Sequence, residues 1–276
     1  MTNRPYHRIA ASCLTLLALL AFAPIAHGQD ATTATKVAAE VSSSTKTTTG
    51  SNYEKLYADR CALFEKENAQ IWNQPGADRP VVLLGSSSMH IIKPDQMFPG
   101  YKIANRGISS DRIRFGTRGV LGRMQNSVYD CHPRAVFVLI GTNDLGAVSK
   151  SGKPTFDEVV ADYAELIGKI RKGVPDAEVF IVSNHATRDK SAHIAPFIKP
   201  FNEANRKLAE AGDKKIHFVD YYTETVGPDG LLKPELTKDG LHLNAEGYKF
   251  LQKRFIEAMD SVGIKPTATA ATTAGK

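Results

Sequence analysis

The chain has 276 residues, 42% of them hydrophobic and 23% charged, with a formal net charge of +6. That composition suits a globular protein with a sizeable core and excludes a wholly disordered chain or one built of membrane spans. The positive charge is spread along the sequence with no run of lysine and arginine, so there is no stripe for a nucleic-acid backbone to follow and no nucleic-acid partner is expected.

Residues 1–28 read as a secretory signal. Arg4, His7 and Arg8 form a basic start, Ile9 to Ala23 is mostly apolar, and Ala26-His27-Gly28 supplies small residues for cleavage. The apolar run is short for a bilayer, so the expectation is export to a periplasmic or extracellular location, with no stable membrane span after cleavage; an uncleaved anchor is the alternative. Without its two arginines the rest of the chain carries about +4. Residues 29–52 are rich in Thr, Ser and Ala and almost devoid of large apolar side chains, which predicts a disordered linker. Residues 265–276 predict a disordered tail on the same grounds. One domain is left, residues 53–264. Cys13 falls in the signal; Cys61 and Cys131 either pair in an oxidising compartment or stay as two thiols.

Within the domain, short apolar runs at Val81–Leu84, Ile103–Asn105, Ala135–Ile140, Glu178–Ser183 and Ile216–Asp220 predict five strands. Helical stripes separate them: Tyr57, Cys61, Phe64 and Ile71; Phe156, Val159, Tyr163, Leu166 and Ile170; Ile194, Phe197, Phe201, Ala204 and Leu208; Tyr248, Leu251, Phe255, Met259 and Val262. Thr155 with Glu158 fits a capping box, and Asn244 is a good N-cap for the last helix. Strands that alternate with helices and are apolar throughout predict an α/β fold with a parallel sheet covered on both faces.

In such a sheet, ligands sit at the carboxyl ends of the strands. There the sequence places Gly85-Ser86-Ser87-Ser88, Asn105-Arg106-Gly107-Ile108-Ser109-Ser110, Gly141-Thr142-Asn143-Asp144 and Asn184-His185-Ala186-Thr187-Arg188. After the fifth strand a long loop leads to Asp239-Gly240-Leu241-His242 and the last helix. These are the parts of acyl transfer. A serine hydroxyl needs a base to take its proton, the base needs a carboxylate to orient it, and the tetrahedral intermediate needs donors aimed at its oxyanion. Alone, Ser87 is a turn or cap serine, Asn143 and Asp239-Gly240 are turn residues and Gly107 is a loop glycine. Their joint placement at strand ends reads as a catalytic set.

The blocks Gly-Ser-Ser, Asn-Arg-Gly, Gly-Thr-Asn-Asp and Asp-Gly-Leu-His, in that order from about Val81 to Met259, resemble the SGNH (GDSL-type) hydrolase family. The resemblance implies a three-layer, flavodoxin-like α/β fold with a five-stranded parallel sheet, and ester hydrolysis through an acyl-enzyme. It makes Ser87 the nucleophile, with Asp239 and His242 completing a triad, and the Ser87 N–H, the Gly107 N–H and the Asn143 amide the oxyanion donors. The family's usual Asp after the first glycine is Ser86 here, and the glycine often found three residues after Gly107 is Ser110. The Gly-x-Ser-x-Gly elbow of another hydrolase fold is absent, since residue 89 is Met.

Supporting roles follow from position. Asn105 is expected to steady the loop that carries Gly107, Asp144 to cap or tie the loop after the third strand, and His185 and Arg188 to line an acyl or alcohol pocket. No His, Cys and carboxylate set has metal-site spacing and no glycine loop cradles phosphate, so neither metal nor organic cofactor is expected. The expected activity is that of an exported serine esterase acting on short acyl groups, O-acetyl above all, of a glycan or small molecule. Alternatives are an O-acyltransferase, a lysophospholipase-like lipid esterase, or a carbohydrate-binding module on the same fold.

Overall fold

A computed structural model of the chain describes residues 47–73 and 78–267. Five strands, β1 (Val81–Gly85), β2 (Ile103–Gly107), β3 (Ala135–Leu139), β4 (Glu178–Val182) and β5 (Ile216–Val219), form one parallel sheet in the order β2-β1-β3-β4-β5. They lie where the apolar runs predict them. The three-layer α/β fold is therefore present, and the strand order reverses between β1 and β3, which opens a crevice at their carboxyl ends.

Each face of the sheet has its own core. Val82, Leu84, Val136, Val138 and Ile181 pack against the helices α4 (Phe156–Gly173) and α5 (Ala195–Ala209). Val81, Leu83, Phe137, Phe180 and Val182 pack on the other side against α6 (Ala245–Ser261), where Phe137 stacks on Phe180 and on Phe255 with ring centroids 4.4 and 4.3 Å apart. Burial on both faces is why the strands carry no polar alternation. The start signals hold. Thr155 and Glu158 form both bonds of a capping box, and the Asn244 side chain accepts from the Glu246 and Gly247 N–H groups.

The edge strand β2 is covered by α1 (Thr47–Glu67). From it the Arg60 guanidinium donates to the Gly107 and Asn105 carbonyls, both at 3.2 Å. A guanidinium on the free carbonyls of an edge strand stops another strand from pairing there.

The differences from expectation lie at the ends and on two helix faces. Residues 47–52, expected as linker, open α1 instead; once Phe64 and Tyr57 hold the helix on the domain, each added turn costs little more than its own entropy. At the other end Ile264 is buried, and the Thr267 N–H and hydroxyl both donate to the Gly100 carbonyl, so Lys265–Thr267 lie on the domain and not in a free tail. Ile71 is half-exposed because the chain leaves the α-helical period in a π-helical turn at Asn68–Trp72. In α5 the buried face is Ile198, Phe201, Asn202 and Asn205, rotated from the apolar stripe because Asn202 pairs with the backbone N–H and carbonyl of Asn184. Cys61 and Cys131 are free thiols. The expected signal at 1–28 and the linker up to residue 46 lie outside the described residues. Among the described residues no helix is long and apolar enough to cross a membrane.

Candidate active site

Gly85 ends β1 under the neighbouring strand, where a Cβ would come within 2.2 Å of the Leu139 carbonyl oxygen. The chain then turns into a one-turn helix, α2 (Ser87–His90). The Ser86 carbonyl accepts from the Met89 and His90 N–H groups, and the Ser87 N–H at the helix start has no acceptor among the described residues. The Tyr248 hydroxyl donates to the Ser88 carbonyl at 2.9 Å and braces this turn from α6.

Of the three serines, Ser87 meets a base: its Oγ lies 3.0 Å from His242 Nε2. His242 Nδ1 lies 2.8 Å from Asp239 Oδ2, and the other carboxylate oxygen accepts the Leu241 and His242 N–H groups at 2.9 and 2.7 Å. Burial pushes the Asp239 carboxyl up, but the bonds from the His242 ring and from these backbone N–H groups outweigh it and hold the group well below the usual carboxylate range. Ionised, Asp239 can only accept, so Nδ1 carries the imidazole proton and Nε2 is left to accept from the Ser87 hydroxyl. The arrangement can take a proton from Ser87 and stabilise the imidazolium that results.

The donors for an oxyanion are arranged differently from expectation. Asn143 stands in the first turn of the helix α3 (Thr142–Ser151), and one of its amide hydrogens goes to the Asp111 carbonyl at 2.9 Å, which aims the amide and leaves the second hydrogen without an acceptor among the described residues. Gly107 does not present a free N–H: it donates to Asn105 Oδ1 at 2.9 Å. Gly107 is there for packing, since a Cβ would lie 2.2 Å from the His90 nitrogen. Three residues on, Ser110 has a left-handed φ of 64° and an N–H with no acceptor among the described residues. Its neighbours are tied down, Ser109 to His90 Nδ1 by both hydroxyl and N–H, and Asp111 to Arg123.

The remaining expected residues are supports. Asn105 donates to the Met89 and Ile92 carbonyls at 2.8 Å each, and so straps α2 to β2. Asp144 accepts the Ile113 N–H, tying the loop after β2 to the helix that follows β3, and burial pushes its carboxyl up to about 8. His185 and Arg188, expected to line a pocket, do not. The His185 ring is buried between the Tyr221 hydroxyl and the Leu241 carbonyl. The Arg188 guanidinium is held by the Leu232 carbonyl and by Asp229. Strand-end position alone did not reveal that the long loop after β5 folds over both.

Sequence reasoning missed Arg123. The residue is 3% exposed, and its guanidinium bonds Asp111 at 2.9 Å, the Arg106 carbonyl at 2.8 Å, Ser127 at 2.9 Å and the Gly85 carbonyl at 3.2 Å. The first signal for it is an arginine with apolar neighbours on both sides, Val120-Leu121 and Met124. An open groove of about 480 Å³ runs beside Asp239 and His242. A second, of about 330 Å³, adjoins it at Ala245 and is walled by Ile91, Ile92, Met97 and Tyr248. Among the described residues no group of three His, Cys, Asp or Glu could hold a metal ion.

The family model of the GDSL-like lipase/acylhydrolase family matches residues 94–250. A search of proteins with curated function finds no match. Among solved structures, a GDSL-like lipase from Bacteroides thetaiotaomicron is similar at 24% identity and a TM-score of 0.60, over 73% of this chain and 98% of that one. A protein from Streptococcus pneumonia, named after platelet activating factor, is similar at 22% identity and a TM-score of 0.65, over 81% and 99%. A catalytic mutant of an acetylxylan esterase from Geobacillus stearothermophilus is similar at 16% identity and a TM-score of 0.51, over 70% and 97%. These likenesses are of fold, and the family match covers more than half of the chain: the chain belongs to the GDSL-like lipase/acylhydrolase family and is an ester-hydrolysing enzyme.

Proposed function

We propose that Ser87 is the nucleophile of a serine esterase whose base is His242 and whose orienting carboxylate is Asp239. The observation that carries the reading is the unbroken relay from Ser87 Oγ through His242 to Asp239, at 3.0 and 2.8 Å. Ser87 Oγ attacks the ester carbonyl carbon while its proton passes to His242 Nε2. The charge that develops on the carbonyl oxygen is met by the Ser87 N–H, by the free hydrogen of Asn143 and by the Ser110 N–H, which takes the place expected of Gly107. The imidazolium then gives its proton to the departing alcohol oxygen, leaving an acyl-enzyme. Water attacks that ester with His242 again as base, and the acid leaves with Ser87 restored.

The substrate we propose is a short acyl group, O-acetyl foremost, on a glycan or small molecule. The triad is open: the His242 and Asp239 side chains are 35% and 55% exposed, which suits an acyl group presented on a large soluble carrier. The acetylxylan esterase among the fold relatives is in keeping with this. Residues 1–28 support export of the enzyme toward such a substrate.

Ser87→Ala tests the chemistry. Removing the nucleophile of a Ser-His-Asp triad costs about 10⁶-fold in kcat, so turnover of an aryl acetate and labelling by a fluorophosphonate should both vanish while the circular dichroism spectrum is unchanged. Turnover at the parental rate in the folded variant would reject Ser87. A series of aryl esters tests the acyl preference: kcat/KM should fall as the chain lengthens beyond a few carbons, and a rise toward long chains would reject the short-acyl reading in favour of a lipid ester.

A further inference from the structure

His185 is the one expected pocket residue whose ring the fold buries completely enough to remove it from substrate: it is 3% exposed. Its two nitrogens are both engaged. Nε2 lies 2.8 Å from the Leu241 carbonyl oxygen and Nδ1 lies 2.7 Å from the Tyr221 hydroxyl. A carbonyl can only accept, so Nε2 must carry a hydrogen. Burial holds the imidazole pKa below its ordinary value, which leaves the ring neutral, and Nδ1 therefore accepts from Tyr221. The contacts define a single tautomer.

The acceptor is what matters. Leu241 is the residue before His242, and its carbonyl is one of two successive carbonyls gripped by the segment after β4. The other is Gly240, which accepts the Arg188 N–H at 2.7 Å. Gly240 allows this grip: its φ is 77°, and a Cβ would come within 2.3 Å of the Arg188 carbonyl oxygen. From the opposite side, the Leu241 and His242 N–H groups are held by Asp239 Oδ1, and the His242 carbonyl accepts the Thr237 hydroxyl at 2.7 Å. The backbone that carries His242 is thus fixed at each polar group, and His185 supplies the bond nearest to it that comes from outside its own loop.

We propose that His185 is a positioning residue for ester hydrolysis: its Nε2–H, through the Leu241 carbonyl, sets the angle at which the His242 ring meets Ser87. The proposal rests on the Ser87–His242 reading above. A base displaced by a fraction of an ångström still lets substrate bind but no longer takes the proton well, so the effect belongs in kcat and not in KM.

The experiment compares His185→Gln, His185→Met and Tyr221→Phe with the parent. Glutamine can keep a donor near the position of Nε2, and methionine fills the space without one. His185→Met should lose about 10- to 100-fold in kcat with KM within about twofold, slow fluorophosphonate labelling in parallel, and be partly rescued in the glutamine variant. Because loss of a buried ring can cost the fold, Tyr221→Phe removes only the hydroxyl that anchors the ring at Nδ1 and should lower kcat by several-fold at unchanged KM. Nitrogen-15 chemical shifts of His185 in Ser87→Ala should report the neutral Nε2–H form. A parental kcat in folded His185→Met or in Tyr221→Phe, a loss confined to KM, or an Nδ1–H tautomer would each overturn the proposal. If Ser87→Ala retained turnover, the reading of the site would fail first, and that result is separate from these.

Discussion

The crevice has two sides, and they are held by different physics. On the side of β1, β2 and β3, which carries Ser87, Ser110 and Asn143, the support is a buried ion pair: Arg123 and Asp111 are 3% and 0% exposed and reach the Gly85 carbonyl, the Arg106 carbonyl and, through the Asp111 carbonyl, Asn143. On the side of β4 and β5, which carries Asp239 and His242, the backbone is held by the exposed Asp239 carboxylate and otherwise by neutral groups: an imidazole, a phenol, a threonine hydroxyl and backbone groups. Charge placed in the interior must stay paired, so damage on the first side spreads to the whole fold. Neutral bonds can be broken singly at about 1 kcal/mol each, so damage on the second side is local and shows in rate.

After loss of the nucleophile itself, the largest effect should therefore be kinetic and on the neutral side. Asp239→Asn turns an acceptor into an amide, whose hydrogens face Nδ1 and force the imidazole into the wrong tautomer. A loss of about 10⁴-fold in kcat is expected, with a melting temperature lowered by only a few degrees because the side chain is 55% exposed. A large fall in melting temperature would show that the neutral side also carries the fold.

Next in size is Arg123→Met. It leaves the Asp111 carboxylate buried without its cation, at a cost of about 3–5 kcal/mol. The double variant Arg123→Met/Asp111→Leu should recover much of that, since an apolar pair of similar volume replaces the charge. Urea unfolding checks both. A single variant within 1 kcal/mol of the parent, on the scale given for a neutral bond, would erase the contrast between the sides.

This contrast marks how far the residues could be read without the fold. The five strands were legible because a strand buried on both faces must be apolar at every position, as Val136 to Leu139 are. Ser87, Asp239 and His242 were legible because each closes or follows a recognisable block at a strand end or a helix entrance. What failed depended on dihedrals and on distant partners. Gly107 and Ser110 differ in which N–H is free, and that is set by the Asn105 side chain and by a single left-handed residue. Arg123 and Asp111 are twelve positions apart in irregular chain with no period to betray their pairing. His185 was placed at a strand end correctly, yet only the return of the loop after β5 decides that it faces Leu241 and not substrate.

A second effect on the charged side, spread over several pH units, concerns pH. Asp144 is buried, accepts the Ile113 N–H and has its carboxyl pushed from 3.8 up to about 8. A carboxyl that holds its proton more tightly when folded stabilises the fold at low pH, and that contribution is lost as pH rises from about 4 toward 8. Over that window the parent should lose stability relative to Asp144→Asn, at up to about 1.4 kcal/mol per pH unit. Asparagine keeps an oxygen for Ile113 and has nothing to ionise. Urea unfolding of both proteins at several pH values checks this, and parallel curves would reject it.

The smallest expected effect isolates the backbone of the same side. Ser110 adopts φ 64° with an exposed side chain whose hydroxyl makes no hydrogen bond among the described residues. For a residue with a Cβ the left-handed region costs about 1–2 kcal/mol, and here nothing polar on the side chain offsets it. The turn is kept because Ser109 is held by His90 and Asp111 by Arg123, so the residue between them has no other way to span the gap. Ser110→Gly removes the clash, but glycine also enlarges the unfolded ensemble, which takes back about 0.4–1 kcal/mol. The net expectation is a gain in stability of between zero and about 1.6 kcal/mol, with Ser110→Ala unchanged because alanine keeps the Cβ. Equal stability in alanine and glycine variants would mean that the turn is not strained, and the charged side would then owe its shape to Arg123 and Asp111 without having to hold any backbone against its preference.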